Sequence, residues 1–270
     1  MPALIAAAPT PKGIVSPDGT TIATYDFGDP EAPAILAVHG FASSALVNWH
    51  HTGWTRDLTR NGYRVIAMDQ RGHGLSDKPH TPDGYSMELL VGDVLSVLDT
   101  LMLDEVRYVG YSLGARVGWQ AALTLPHRIT RAVLGGIPDG LPLTRFRVDL
   151  AREHIASGTP VHDRLTEAYL TMAGRTAGND LPALVDLVEG MADGPQPDLA
   201  NPPQQPILFA TGSEDKILPA SKALAEATPS GTFFEIPGRN HFNAPTSRHF
   251  RDAAVAFLGL ASTDLRRAEV

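Results

Sequence analysis

Short apolar runs alternate along most of this chain with segments whose apolar residues recur every three or four positions. Residues 34–38 form a continuous apolar run, consistent with a strand buried on both faces of a parallel sheet. Further strands are predicted at 63–68, 106–109, 129–134, 206–210 and 232–236. Helical spacing is predicted at 54–61, from a cap at Ser86 to about 103, at 115–125, at 219–227 and at about 247–258. Residues 11–27 read as a hairpin turning at Pro17-Asp18-Gly19, with 20–27 alternating like an edge strand.

Strand-helix alternation breaks between 141 and about 200. Three helical segments are predicted there, at roughly 145–156, 162–173 and 181–191, separated by glycines and prolines. The pattern predicts an α/β core in two parts, 1–140 and 201–270, with a helical cap at 141–200 over the C-terminal edge of the sheet. Such a cap narrows a site and keeps water out of it.

Composition narrows the classes. A length of 270 residues suits one α/β domain with an insertion, and 43% hydrophobic residues supply a large core. With no cysteine, disulfides and thiolate chemistry are excluded, which fits a reducing, cytoplasmic setting. A formal charge of −8 speaks against a nucleic-acid partner. No apolar run reaches the ~20 residues of a membrane span. The start, MPALIAAAPTPKG, has no basic region and is read as a loose N-terminus rather than a signal peptide. The segment after 260 is read as a frayed tail.

Residues 105–125 carry the sharpest chemical signal. A strand, the turn Gly110-Tyr111-Ser112-Leu113-Gly114 and a helix follow one another, the layout of a nucleophile elbow. A bare G-x-S-x-G arises by chance roughly 0.1 times in such a chain, so the motif needs partners elsewhere. Taken alone, Ser112 would be a helix cap after a glycine turn. The partners stand after two later strands, Asp215 in Thr211-Gly212-Ser213-Glu214-Asp215 and His241 in Gly238-Arg239-Asn240-His241. A neutral imidazole can take the serine proton, and a carboxylate can hold the imidazole in the right tautomer. Glu214 and Asp139 are rival acids, and His249 falls within the last helix.

His39-Gly40-Phe41 ends the strand at 34–38. Gly40 allows a sharp turn, so that the amide of Phe41, with the amide of Leu113, could form a two-donor oxyanion hole. Gly40, Trp49 and Tyr111 are the substrate-lining candidates, with His50 a weaker one. The pair His50-His51 has no third ligand at metal spacing, so no metal site is expected. Asp69-Gln70-Arg71-Gly72-His73-Gly74-Leu75-Ser76 lacks a phosphate-loop pattern, and Asp69, Arg71 and His73 are expected to bond within the loop. On the helix from Ser86, Glu88 and Asp93 are placed on the polar face.

These motifs, in this order, resemble the α/β-hydrolase superfamily, in its compact, cofactor-free bacterial esterase-like group. The resemblance spans roughly residues 10–260 and implies an eight-stranded, mostly parallel sheet flanked by helices, with a small helical cap. It implies a serine hydrolase acting on a small-molecule carboxylic ester, lactone or thioester, with Ser112, Asp215 and His241 catalytic and no metal or cofactor. Haloalkane dehalogenases and epoxide hydrolases of the superfamily carry aspartate at the nucleophile position, and Ser112 argues against both. C–C bond hydrolysis and cofactor-free perhydrolysis use the same triad. A slow small-ligand receptor is an alternative of another class. An amidase or iminopeptidase is weaker, because the cap offers only Glu153, Asp163 and Glu167 to hold a free amine. The sequence leaves the oligomeric state open.

Overall fold

The computed structural model describes residues 7–138, 140 and 143–259. Eight strands form one sheet: β1 (Lys12–Val15), β2 (Thr21–Phe27), β3 (Ala34–Val38), β4 (Arg64–Met68), β5 (Val106–Tyr111), β6 (Ile129–Gly135), β7 (Ile207–Gly212) and β8 (Gly231–Ile236). Their order is β1-β2-β4-β3-β5-β6-β7-β8. The contacts β1–β2 and β2–β4 are antiparallel, and all the others are parallel. This is the mostly parallel eight-stranded sheet that the family resemblance implied. The alternating strand β2 is not an edge, however. It lies between β1 and β4, and its residues 22–25 are all buried.

Strand periodicity sends alternate residues to opposite faces. Leu36, Val38, Ile66, Met68, Tyr108 and Leu134 face one core, beneath α2 (Met87–Thr100), α3 (Leu113–Thr124) and α7 (Leu218–Ala227). Ile35, Ala37, Val65, Ala67, Val109 and Val133 face the other, beneath α1 (Trp54–Arg60) and α8 (Arg248–Gly259). Ser86 caps α2 as expected, its Oγ accepting from the Leu89 amide at 3.1 Å.

Between β6 and β7 lie α4 (Val148–Ser157), α5 (Arg164–Arg175) and α6 (Leu181–Gly190), close to the three helices expected of the cap. Asp163 and Asp180 cap the latter two through their carboxylates. Residues Leu46–His50, just ahead of α1, form a single π-helical turn. Among the described residues, no helix is long and apolar enough to cross a membrane.

Candidate active site

The sharpest backbone feature sits where β5 meets α3. Ser112 has φ 52° and ψ −112°, a region that L-residues rarely occupy and that costs about 1–3 kcal/mol. Close packing on every side holds it there. A Cβ on Gly114 would lie 2.1 Å from the Val38 carbonyl oxygen, and one on Gly110 would lie 2.4 Å from the Gly114 oxygen. The two glycines of the motif are therefore required by approach, because β5, α3 and the end of β3 leave no room for a methyl group. Tyr108 clamps the same turn by donating to the Gly114 carbonyl at 2.6 Å.

This turn lifts Ser112 Oγ to 2.9 Å from His241 Nε2, and His241 Nδ1 lies 2.8 Å from Asp215 Oδ2. A carboxylate can only accept, so Nδ1 carries the hydrogen and Nε2 is left to accept from the serine hydroxyl. Asp215 is buried, and its second oxygen accepts from the Ile217 amide at 3.2 Å. Glu214, the neighbouring rival, is exposed, and among the described residues no hydrogen bond or ion pair joins it to His241. Asp139, the other rival, lies outside the described residues. The three side chains thus come from the ends of β5 and β7 and from the loop after β8, at one edge of the sheet.

Leu113 is the first residue of α3, where an amide has no intrahelical acceptor. The amide of Phe41 also has none among the described residues. Two buried histidines build the turn that carries Phe41. His39 Nδ1 donates to the Gly40 carbonyl at 2.7 Å, while its Nε2 accepts from the Gln70 amide at 3.1 Å. His73 Nδ1 donates to the Arg71 carbonyl at 3.1 Å, and its Nε2 accepts from the Ala42 amide at 3.0 Å. Ala42 itself has φ 61°, so the turn is strained and held from outside. The cap holds it as well. The Ala42 carbonyl accepts from Thr176 Oγ1 at 3.3 Å and from Asn179 Nδ2 at 3.0 Å, and Asn179 Oδ1 accepts from the Gly74 amide at 2.9 Å.

The loop after β4 therefore does more than bond within itself. Asp69 accepts from Leu75 inside the loop at 2.9 Å and from Ala45 outside it at 2.7 Å. His73 reaches the turn at Ala42, and Arg71 reaches α2. Asp93, placed on the polar face of that helix by its spacing, is 1% exposed and forms a paired contact with Arg71.

Burial depresses the pKa of both His39 and His73, and in His73 the neighbouring His39 adds to the effect. Both rings are neutral in the fold, as their accepting Nε2 atoms require. An unfolded histidine titrates near ~6.5. Below that value the unfolded chain takes up protons that the folded chain refuses, so stability falls as pH drops. The unfolding free energy, followed by the urea midpoint, is expected to decline between pH 6.5 and 5, by up to ~1.4 kcal/mol per pH unit for each ring. A midpoint that stays flat over that interval would show that the rings are not held neutral.

A cavity of about 440 Å³ opens beside Ser112 and His241. Its lining includes Leu113, Pro138 and Ile217 from the core and Leu143, Phe146, Leu165 and Tyr169 from the cap segment. Gly40, Trp49 and Tyr111, expected to line a substrate pocket, do not line this one. Trp49 is 1% exposed and packs edge-on to Trp54 in the core beneath α1 and α8. Tyr111 points its hydroxyl to the His241 carbonyl at 2.6 Å and so steadies the histidine loop. Gly40 works by smallness, since a Cβ there would lie 3.3 Å from Ser112 Cβ. His50 stacks on Phe27 and contacts Thr55, away from the triad. Among the described residues, no group of histidines and carboxylates could hold a metal ion.

Comparison with known proteins agrees with this architecture. The family model for the α/β-hydrolase fold matches residues 33–161. A Bacillus subtilis (strain 168) protein, provisionally named 2-succinyl-6-hydroxy-2,4-cyclohexadiene-1-carboxylate synthase, is 27% identical over 251 residues, covering 83% of this chain and 89% of its own. Epoxide hydrolase A of Mycobacterium tuberculosis is 32% identical over 131 residues, but those cover only 48% of this chain and 39% of that enzyme. The crystal structure of the enol-lactonase from Burkholderia xenovorans LB400 superposes with a TM-score of 0.74 at 22% identity, covering 92% of this chain and all of that one, a likeness of fold. The chain has the α/β-hydrolase fold, and over residues 33–161 its sequence is similar to that hydrolase family.

Proposed function

We propose that the protein hydrolyses a carboxylic ester, lactone or thioester through an acyl-enzyme on Ser112. The observation that carries this reading is the continuous chain from Ser112 Oγ to His241 at 2.9 Å and on to Asp215 at 2.8 Å, opening on a cavity. In the first half-reaction, Ser112 Oγ bonds to the carbonyl carbon while His241 Nε2 takes its proton. The amides of Phe41 and Leu113, the latter at the positive end of α3, hold the oxyanion. Collapse expels the alcohol or thiol, which leaves with that proton. Water then gives a proton to His241 and attacks the acyl carbon, and His241 passes that proton to Ser112 Oγ as the acid leaves.

The epoxide hydrolase relatives do not transfer their chemistry. An alkyl-enzyme ester requires a carboxylate nucleophile, and position 112 is serine. The test is intact-mass spectrometry after treatment with a fluorophosphonate, alongside hydrolysis of esters of increasing acyl length. One adduct on the wild type, absent from Ser112→Ala, together with chain-length-dependent turnover, is the expected result. Neither adduct nor turnover would overturn the reading in favour of a binding role. An adduct without ester turnover would overturn the substrate class and leave C–C or peroxide chemistry of the same triad.

A further inference from the structure

The charge around the cavity is opposite to that of the chain. The protein carries a formal charge of −8, yet four cations line this one cavity: Arg116, Arg145, Arg164 and Lys216. They face two carboxylates, Asp215 and Glu214. Asp215 is committed to His241. Leaving Arg116 aside, Arg145, Arg164 and Lys216 still outnumber Glu214 among the described lining residues, at a mouth whose walls are otherwise largely apolar.

The cap arginines differ in how they are used. Arg147 pairs with Asp149, and Arg152 with Asp186 and Glu189. Both belong to the outer surface of the cap and are neutralised there. Arg145 and Arg164 turn to the cavity, and among the described residues neither has a carboxylate partner. Lys216, one residue after Asp215, likewise has no ion pair among the described residues. On the floor, Arg116 is 3% exposed and donates to the Gly140 carbonyl at 2.6 Å.

We infer that the substrate is an anion: a short ester carrying a carboxylate, which Arg145 and Arg164 draw in and hold from the cap side. This deepens the hydrolase reading proposed above and rests on it for the ester. A guanidinium fork matches a carboxylate with two parallel hydrogen bonds. A cavity of about 440 Å³ suits a small acyl group rather than a long lipid chain. Convergent cations in a narrow mouth also raise the local concentration of an anionic substrate, an effect that salt weakens.

The test compares monomethyl adipate, with one ester and one carboxylate, and neutral dimethyl adipate. Binding of each to Ser112→Ala protein is measured by titration calorimetry at low and at high salt. The monoanion is expected to bind about tenfold more tightly at low salt, the scale of two or three partly exposed charge pairs, and to lose that advantage as salt rises. The double variant Arg145→Gln/Arg164→Gln is expected to bring the ratio towards one, whereas Arg147→Gln keeps the wild-type ratio. Equal or weaker binding of the monoanion, no binding of either ester, or a ratio unmoved by the double variant would overturn the inference. Hydrolysis of dimethyl adipate by the wild type, absent from Ser112→Ala, reads the hydrolase assignment separately. Its failure would sink that assignment while the binding ratio still decided the anion subsite.

Discussion

Ser112→Ala is expected to lower kcat for an ester by roughly 10⁶, the scale seen when the nucleophile of a serine hydrolase triad is removed. Asp215→Asn is expected to cost less, about 10⁴, because the amide can present a hydrogen to the imidazole and hold the wrong tautomer. The geometry makes the two effects interdependent. Asp215 fixes the hydrogen on His241 Nδ1 at 2.8 Å, and only then can Nε2 accept from Ser112 at 2.9 Å. The double variant is therefore expected to be no slower than Ser112→Ala alone. Single-turnover rates with an activated ester would check this. Additive losses in the double variant would show that Asp215 acts outside the triad.

Asp93→Asn is expected to destabilise the fold by about 3–5 kcal/mol, the cost of leaving one partner of a buried ion pair uncompensated. Arg71 and Asp93 are each 1% exposed. Nε and Nη2 of Arg71 donate to the two carboxylate oxygens, each at 2.7 Å, and Ser16 Oγ donates to Oδ1 at 2.5 Å. Without the Asp93 charge, Arg71 keeps Asp18 at 2.8 Å as its counterion, and that carboxylate is on the surface. Replacing both residues with apolar ones, as Arg71→Met/Asp93→Leu, is expected to cost less than the single change, because no buried charge is stranded. Urea midpoints of the two variants would show this order. The reverse order would mean that the pair itself, and not its isolation, carries the stability. Arg71 lies between Asp69 and His73, so the single variant should also lower turnover by loosening the turn at Phe41.

The substrate cavity shows where local reading stops. Trp49 and Tyr111, expected to line the pocket, are both buried against other parts of the core. The cavity is instead walled by Phe146, Leu165 and Tyr169 of the cap, together with Arg145 and Arg164. Their spacing marked them only as helix residues, since nothing along the chain tells which face of a cap helix will look down on the sheet. Asn179 and Thr176 had no sequence signal either. They hold the turn at Ala42 across more than 130 positions, with |i−j| of 137 and 134. Helical spacing places Asp93 on the polar face of α2, where a charged side chain is normally solvated. Its burial depends on Arg71 arriving from a loop 22 residues earlier.

By itself the sequence determined the alternation of strands and helices, the interruption by a helical cap, and the order Ser112, Asp215, His241 after three separate strands. These are legible because strand and helix periods, turn glycines and motif spacing are local properties of the chain. The tertiary structure decided the rest: that β2 is internal to the sheet, that His39 and His73 stay neutral while shaping the turn at Phe41, and that four cations face one cavity. Those outcomes depend on which distant groups become neighbours when the apolar surface is buried. Desolvation and charge act through that proximity, and one-dimensional order does not encode it.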